Sequence, residues 1–257
     1  MKLDQEQKLL KKKIRTLKAT VSTFSVKPYK KNMTGLVIEL SRVIAAKAFE
    51  LEDTRRLFTK EPYMTHPERC LLIIEAYDPN MEKYDFMLRS AMLLHDTLED
   101  TFVTKELLTE LLMSKLKDII TVDKIVHYVD CLTDKEPHDD RDRLVRKNLE
   151  ADRFKDIEPK VCDLKLIDSM HNFSNIMLHD WQFAKTYAVE KSYFLKIVEG
   201  KTNPQLFQDV KDLLDEFNLY RSLHAQTYGD HAEGYLIWKL TKRAPRTQAM
   251  NAMSKLS

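Results

Sequence analysis

Apolar residues in this chain recur at intervals of three and four along most of its length, and no stretch alternates as a half-buried strand would. This periodicity predicts an all-α fold. The prolines fall at boundaries between apolar segments, where they end or begin helices. The spacing predicts helices over residues 36–51, 70–77, 86–98, 106–120, 122–132, 141–154, 161–178, 183–198 and 204–220.

Glycine is scarce, with 4 in 257 residues and none between Gly35 and Gly200. Glycine-rich phosphate loops and dinucleotide fingerprints need glycine for tight turns and for close approach of the backbone to a ligand. Their absence means that side chains must hold any bound nucleotide. The length and the apolar fraction of 43% fit one main domain, predicted over 33–200. Residues 1–32 and 201–257 are predicted as extensions, the second ending in a frayed tail from Thr241.

The N-terminal extension is strongly basic. Residues 1–31 hold ten Lys and Arg against Asp4 and Glu6 only, although the whole chain has a net charge of +2. Five apolar residues also recur there at helical spacing: Leu3, Leu10, Ile14, Leu17 and Val21. This pattern favours an amphipathic helix that docks on its own domain or on a second copy of the chain. Nucleic-acid binding is the less favoured alternative.

Cysteine usage and hydropathy indicate where the protein works. Cys70, Cys131 and Cys162 are an odd number of widely spaced cysteines without a C-x-x-C pair, which predicts buried thiols in a reducing compartment. No apolar run approaches the roughly 18 residues that span a bilayer. The lysine-rich start also lacks the apolar segment of a signal peptide. We therefore expect a cytoplasmic protein without membrane contact.

The stretch LHDTLEDT at 94–101 concentrates ionisable groups at the end of an apolar helix. In a helix, His95 would lie one turn from Glu99, and Asp96 one turn from both Glu99 and Asp100. Three carboxylates around one histidine repel each other, while neighbouring leucines draw the same turn into the core. A divalent cation resolves this conflict, with His95 and Asp96 as ligands and with Glu99 and Asp100 holding a water molecule. Surface salt bridges are the alternative.

Two ligands do not make a tight site, and two further candidates occur elsewhere. His66 precedes Pro67 at a predicted helix start, although a lone histidine there is often structural. Asp168 interrupts an apolar helical stripe, with Asn172 four residues later on the same face. Burying that carboxylate is costly unless it is paired or bound to a metal. Two imidazoles and two carboxylates suit manganese, iron or zinc better than calcium.

Four segments in this order resemble the hydrolase domain of the RelA/SpoT family, a branch of the HD metal-dependent phosphohydrolases. They are Arg55-Arg56 followed by EPYMTHP at 61–67, HDTLEDT at 95–101, LTDK at 132–135 and LKLIDSMHN at 164–172. The resemblance covers residues 36–200. No segment resembles the synthetase domain of that family, so the small, hydrolase-only members are the nearest match.

The resemblance implies a helical HD bundle, usually with manganese, that removes the 3′-pyrophosphate from guanosine tetra- or pentaphosphate. It assigns the metal ligands to His66, His95, Asp96 and Asp168. Glu99 and Asp100 would orient or deprotonate the attacking water. It also implies four contacts with the nucleotide or its phosphates: Arg56, Asn172, Lys135 and Lys165.

Two departures from the family pattern affect the substrate. Lys60 stands where the family has a small residue or glycine, and the loop there is about one residue longer, so that either Arg55 or Arg56 can match the family arginine. Ser169 and Ser174 replace basic residues near the phosphates. Two alternatives therefore stay open: an HD phosphohydrolase acting on another phosphorylated nucleotide or dinucleotide, and a non-catalytic nucleotide-sensing or partner-binding protein.

Overall fold

The computed structural model describes residues 2–29, 32–136 and 142–227, and within these ranges the chain forms helices and no strand. The predicted all-α class is confirmed. The helices are α1 (Lys2–Thr23), α2 (Met33–Glu52), α3 (Thr65–Tyr77), α4 (Phe86–Leu94), α5 (Thr97–Asp100), α6 (Lys105–Leu116), α7 (Ile119–Leu132), α8 (Arg143–Arg153), α9 (Pro159–His179), α10 (Trp181–Val198) and α11 (Pro204–Thr227). The predicted frayed tail from Thr241 lies outside the described residues.

The predicted helix over 106–120 runs too far. The helix ends at Leu116, because Lys117 adopts a left-handed φ of 54° and its N–H donates to the Met113 carbonyl. Asp118 then caps α7, accepting from the N–H groups of Ile120 and Thr121. A left-handed residue followed by an aspartate N-cap thus places the boundary between α6 and α7 earlier than the apolar pattern predicts.

The structure divides into two compact units. The first comprises Met1–Leu71 with Met81–Thr133, and the second Leu72–Asn80 with Asp134–Ser257. In the first unit α2 is central and packs against α1, α4, α5 and α6, while α7 packs against α4 and α6. In the second, α10 packs against α8, α9 and α11. The predicted domain boundaries at residues 32 and 200 stay predictions.

The second half of α1 docks within the first unit. Leu17 and Val21 are fully buried, and α1 packs on α2 and α6. Lys13 pairs with Glu52 at 2.7 Å at the edge of this contact. The first half of the helix is exposed, including Leu9. The predicted docking of the basic helix on its own domain is therefore seen for its second half, and association with another copy stays a prediction.

A lysine fixes the loop between α8 and α9 in the second unit. Gly200, with a φ of +73°, makes the left-handed turn that follows α10. The next residue, Lys201, directs its Nζ at the carbonyl oxygens of Phe154, Lys155 and Ile157, at 2.7, 2.7 and 2.9 Å. One ammonium group thus satisfies three main-chain acceptors just before α9 begins.

The cysteines follow the sequence prediction at two of three positions. All three cysteines are free thiols, and Cys70 and Cys162 are buried as predicted, but Cys131 is only half-buried. Of the helices that the structure describes, none combines the length and apolar character needed to cross a membrane.

Candidate metal centre

The break between α4 and α5 positions the central residues of the candidate centre. The sequence predicts one helix over 86–98, but α4 ends at Leu94. The reason is that side chains bond the carbonyl groups at its end: Thr97 Oγ1 donates to the Leu94 oxygen at 2.6 Å, and His95 Nδ1 lies 2.7 Å from the Met92 oxygen. His95 and Asp96 therefore occupy the corner between the two helices.

Three possible ligand atoms converge at this corner in the first unit. His66, in the first turn of α3, places its Nε2 atom 3.2 Å from Nε2 of His95. Asp96 Oδ2 lies 3.0 Å from the His95 nitrogen and 3.6 Å from the His66 nitrogen. The sequence predicts all three as ligands, and the structure brings them together.

The hydrogen bonds of the histidines favour metal binding through Nε2. The Met92 carbonyl can only accept, so His95 Nδ1 carries the proton of the neutral ring and Nε2 presents a lone pair. His66 Nδ1 faces Cys70 Sγ at 3.6 Å. A main-chain acceptor behind a ring is the usual support of a metal-ligating histidine.

The separations and the burial also fit a metal ion. Adjacent ligand atoms that each lie about 2.1 Å from one ion are about 3.0 to 3.4 Å apart in tetrahedral or octahedral geometry. The separations among His66, His95 and Asp96 are close to this range. Both histidines are buried, whereas Asp96 keeps some exposure. The donor set can therefore hold a divalent ion that is reached from the Asp96 side.

Tyr63 links the candidate ligands to Asp100, and sequence reasoning gave it no role. Its hydroxyl donates to Asp96 at 2.8 Å and also interacts with the Asp100 carboxyl. Burial, together with the two carboxylates, raises the pKa of Tyr63 far above its usual value, so the phenol keeps its proton. The only sign in the sequence that Tyr63 belongs to the candidate centre is its position three residues before His66.

Asp100 and Glu99, the predicted water-orienting pair, both lie on α5. Partial burial of the carboxyl, and then the charge of Asp96, raise the pKa of Asp100 above its usual range. Asp100 as a whole residue remains exposed, as does Glu99. The Asp100 carboxyl therefore lies beside Asp96 at the surface, where a water molecule can reach it, and this suits an acceptor of protons.

Arg56, rather than Arg55, lies next to the candidate centre. Its guanidinium stacks 5.5 Å from the centre of the Tyr63 ring, and its charge acts on Asp100. Arg55 instead donates to the Lys60 carbonyl at 3.2 Å and lies 3.6 Å from an Asp53 oxygen. Lys60 has a left-handed φ of 59°, a conformation that favours glycine.

Asp168, the fourth predicted ligand, belongs to the second unit. It is buried on α9, accepts from Asn172 Nδ2 at 2.6 Å and lies 3.3 Å from Lys165 Nζ. The predicted shared face of Asp168 and Asn172 is thus present. Two polar partners balance the buried carboxylate, while its role as a metal ligand stays a prediction.

Lys165 belongs to a larger charge cluster in the same unit. Its Nζ lies 3.8 Å from Asp134, which Lys147 also pairs with. Burial alone would raise the pKa of Asp134, but the two lysines outweigh it and hold the value at about 2. Lys135, the other predicted phosphate contact, is exposed, and its main-chain N–H donates to Glu150.

No protein-family model matches the chain, and no curated protein matches it.

Proposed function

We propose that this chain is a metal-dependent phosphohydrolase that removes the 3′-pyrophosphate of guanosine tetra- or pentaphosphate. The observation that carries the proposal is the convergence of His66 Nε2, His95 Nε2 and Asp96 Oδ2 in the first unit. These are three of the four residues that the motif resemblance assigns to the metal. In this proposal Asp168 is the fourth ligand on the strength of that resemblance, and the protein acts in the cytoplasm.

The donor set favours manganese, iron or zinc, and manganese is the proposed ion. When bound, such an ion supplies positive charge that lowers the pKa of a coordinated water and offsets charge on a phosphoryl oxygen. His95 is held for this task by the Met92 carbonyl, and Asp96 by the Tyr63 hydroxyl. These contacts set the direction of both ligands before substrate binds.

Asp100 serves the attacking water in the proposed reaction. Its carboxyl takes or orients the proton of the water while the water oxygen forms a bond to the phosphorus attached to the 3′ oxygen. The bond between that phosphorus and the 3′ oxygen breaks, the 3′ oxygen gains a proton, and pyrophosphate leaves. Arg56, whose charge acts on Asp100, contacts a phosphate oxygen in this proposal. Glu99 assists the proton transfer.

Pyrophosphate release from guanosine tetraphosphate in the presence of Mn²⁺ tests the proposal. We expect turnover by the wild-type chain and loss of both turnover and bound metal in His95→Gln. A matched control is His179→Gln, because His179 is an exposed histidine at the end of α9 whose Nδ1 lies 2.8 Å from the Asn175 carbonyl oxygen. Turnover in His95→Gln equal to that of the control would reject the proposed centre.

A second candidate is hydrolysis of another phosphorylated nucleotide or dinucleotide. Ser169 is buried, and Ser174 Oγ donates to the Met170 carbonyl. Ser169 and Ser174 stand where the family has basic residues, so this chain has no cation at either position. This weakens recognition of a second pyrophosphate arm. A panel of 3′-phosphorylated nucleotides and dinucleotides separates the two substrates. Metal binding without turnover on any of them favours the non-catalytic sensing protein.

A further inference from the structure

A separate cavity is lined by none of the residues proposed for catalysis. It has a volume of about 390 Å³ and is formed within the second unit by α8, α10 and α11. Its lining residues share one face of each helix, at spacings of three and four. They are Leu144, Asn148, Val189, Ser192, Tyr193, Lys196, Asn218 and Arg221.

The cavity carries positive charge without a balancing acid in its lining. Lys196 and Arg221 come from different helices, and neither forms an ion pair with a carboxylate among the residues that the structure describes. Two cations that converge on one cavity favour an anion with several oxygens. A phosphate group meets this requirement better than a single neutral acceptor does.

Two amides in the lining are also available to a ligand. Asn148 Oδ1 is buried and has no hydrogen-bond partner among the described residues. A buried acceptor without a donor is unfavourable, so a ligand that supplies an N–H or O–H group there gains affinity. Asn218 comes from α11. The two amides together can read the polar edge of a heterocycle.

The rest of the lining suits a flat, partly apolar group. Leu144 and Val189 provide aliphatic surface. Tyr193 lines the same cavity, and its orientation is fixed because its hydroxyl donates to Asp152 at 2.9 Å. A fixed aromatic side chain is a favourable surface for a nucleobase. The volume lies in the usual range for small-ligand sites, about 300 to 1,000 Å³.

We infer that this cavity binds a nucleoside monophosphate, with the phosphate between Lys196 and Arg221 and the base between the amides and Tyr193. The inference does not depend on the proposed hydrolase activity, since no residue of the cavity belongs to the candidate metal centre. It predicts a second nucleotide site of the chain.

Calorimetric titration of the full chain with guanosine 5′-monophosphate tests this inference. We expect Arg221→Gln to weaken binding by about tenfold or more, since it removes a charge-assisted contact. Lys211→Gln is the matched control on the same helix, because Lys211 pairs with Asp215 outside the cavity. It should bind like the wild type. His95→Gln should also keep this binding.

Two further measurements separate binding from damage to the fold. Asn148→Leu should weaken binding of the nucleotide while raising the melting temperature of the free chain, because it removes a buried oxygen without a partner. Ribose 5-phosphate, which lacks the base, should bind at least about tenfold more weakly than the nucleotide. Absence of nucleotide binding at millimolar concentration, or equal binding by Arg221→Gln and the wild type, overturns the inference.

Discussion

Replacing Leu17 by alanine tests how much the docked half of α1 contributes to the stability of the first unit. The Leu17 side chain is 0% exposed where α1 packs on α2 and α6. Removing three carbon atoms from such a site loses about 0.8 kcal/mol each by transfer alone. The cavity that remains raises the cost to the range of about 2 to 5 kcal/mol seen for buried leucines.

We expect about 3 kcal/mol, in the lower half of that range, because a terminal helix can shift to fill part of the cavity. Urea unfolding followed by circular dichroism measures this loss as a fall of about 1 M in the midpoint, at a slope of 2 to 3 kcal/mol per molar. The slope should not change, since the same surface becomes exposed.

Leu9→Ala provides the control on the same helix. Leu9 is 55% exposed, so its replacement should change the free energy of unfolding by less than about 0.5 kcal/mol. Equal effects of the two substitutions, or a loss below about 1 kcal/mol for Leu17→Ala, would show that burial against the unit is not what holds α1.

Three further outcomes are expected. Asp100→Asn should retain bound metal but lose turnover by about 100-fold or more, the usual worth of general-base assistance; loss of metal would instead make Asp100 a ligand. Asp168→Ala should lose both metal and turnover while its circular dichroism spectrum stays helical, and full activity would remove it from the ligand set. Asp134→Asn should lower the free energy of unfolding at pH 7 by about 2 kcal/mol, because the pKa of Asp134 is about 2 in the folded chain against 3.8 unfolded. That contribution is present above pH 3.8 and is lost as the pH falls toward 2, so a difference between the two chains that does not change with pH would contradict it.

Local periodicity was sufficient to predict the helical class and the approximate position of most helices. It failed where side chains compete with the helix for main-chain groups. Thr97 and His95 end α4 by bonding its last carbonyls, and Asp118 begins α7 by capping its first N–H groups. Apolar spacing carries no information about these bonds, so the predicted helices over 86–98 and 106–120 run past their true ends.

The candidate site was predictable only in part for a similar reason. His95 and Asp96 are neighbours in sequence, so the sequence alone places them close together. Tyr63 became visible only through its hydrogen bond to Asp96, which is 33 residues away. The stacking of Arg56 on Tyr63, which distinguishes it from Arg55, likewise depends on how the loop folds back.

The three carbonyl contacts of Lys201 have a consequence for the helix that carries Asp168. Three carbonyl oxygens around one positive centre resemble the coordination of a monovalent ion, but here the ion is part of the chain. Such an ion cannot be removed by dialysis, and it does not compete with dissolved cations. All three ammonium hydrogens are used, so acetylation of Lys201 would remove the charge and leave this side chain a single N–H for the three carbonyls. The start of α9 is thus set by a permanent internal cation, whatever ions the solution contains.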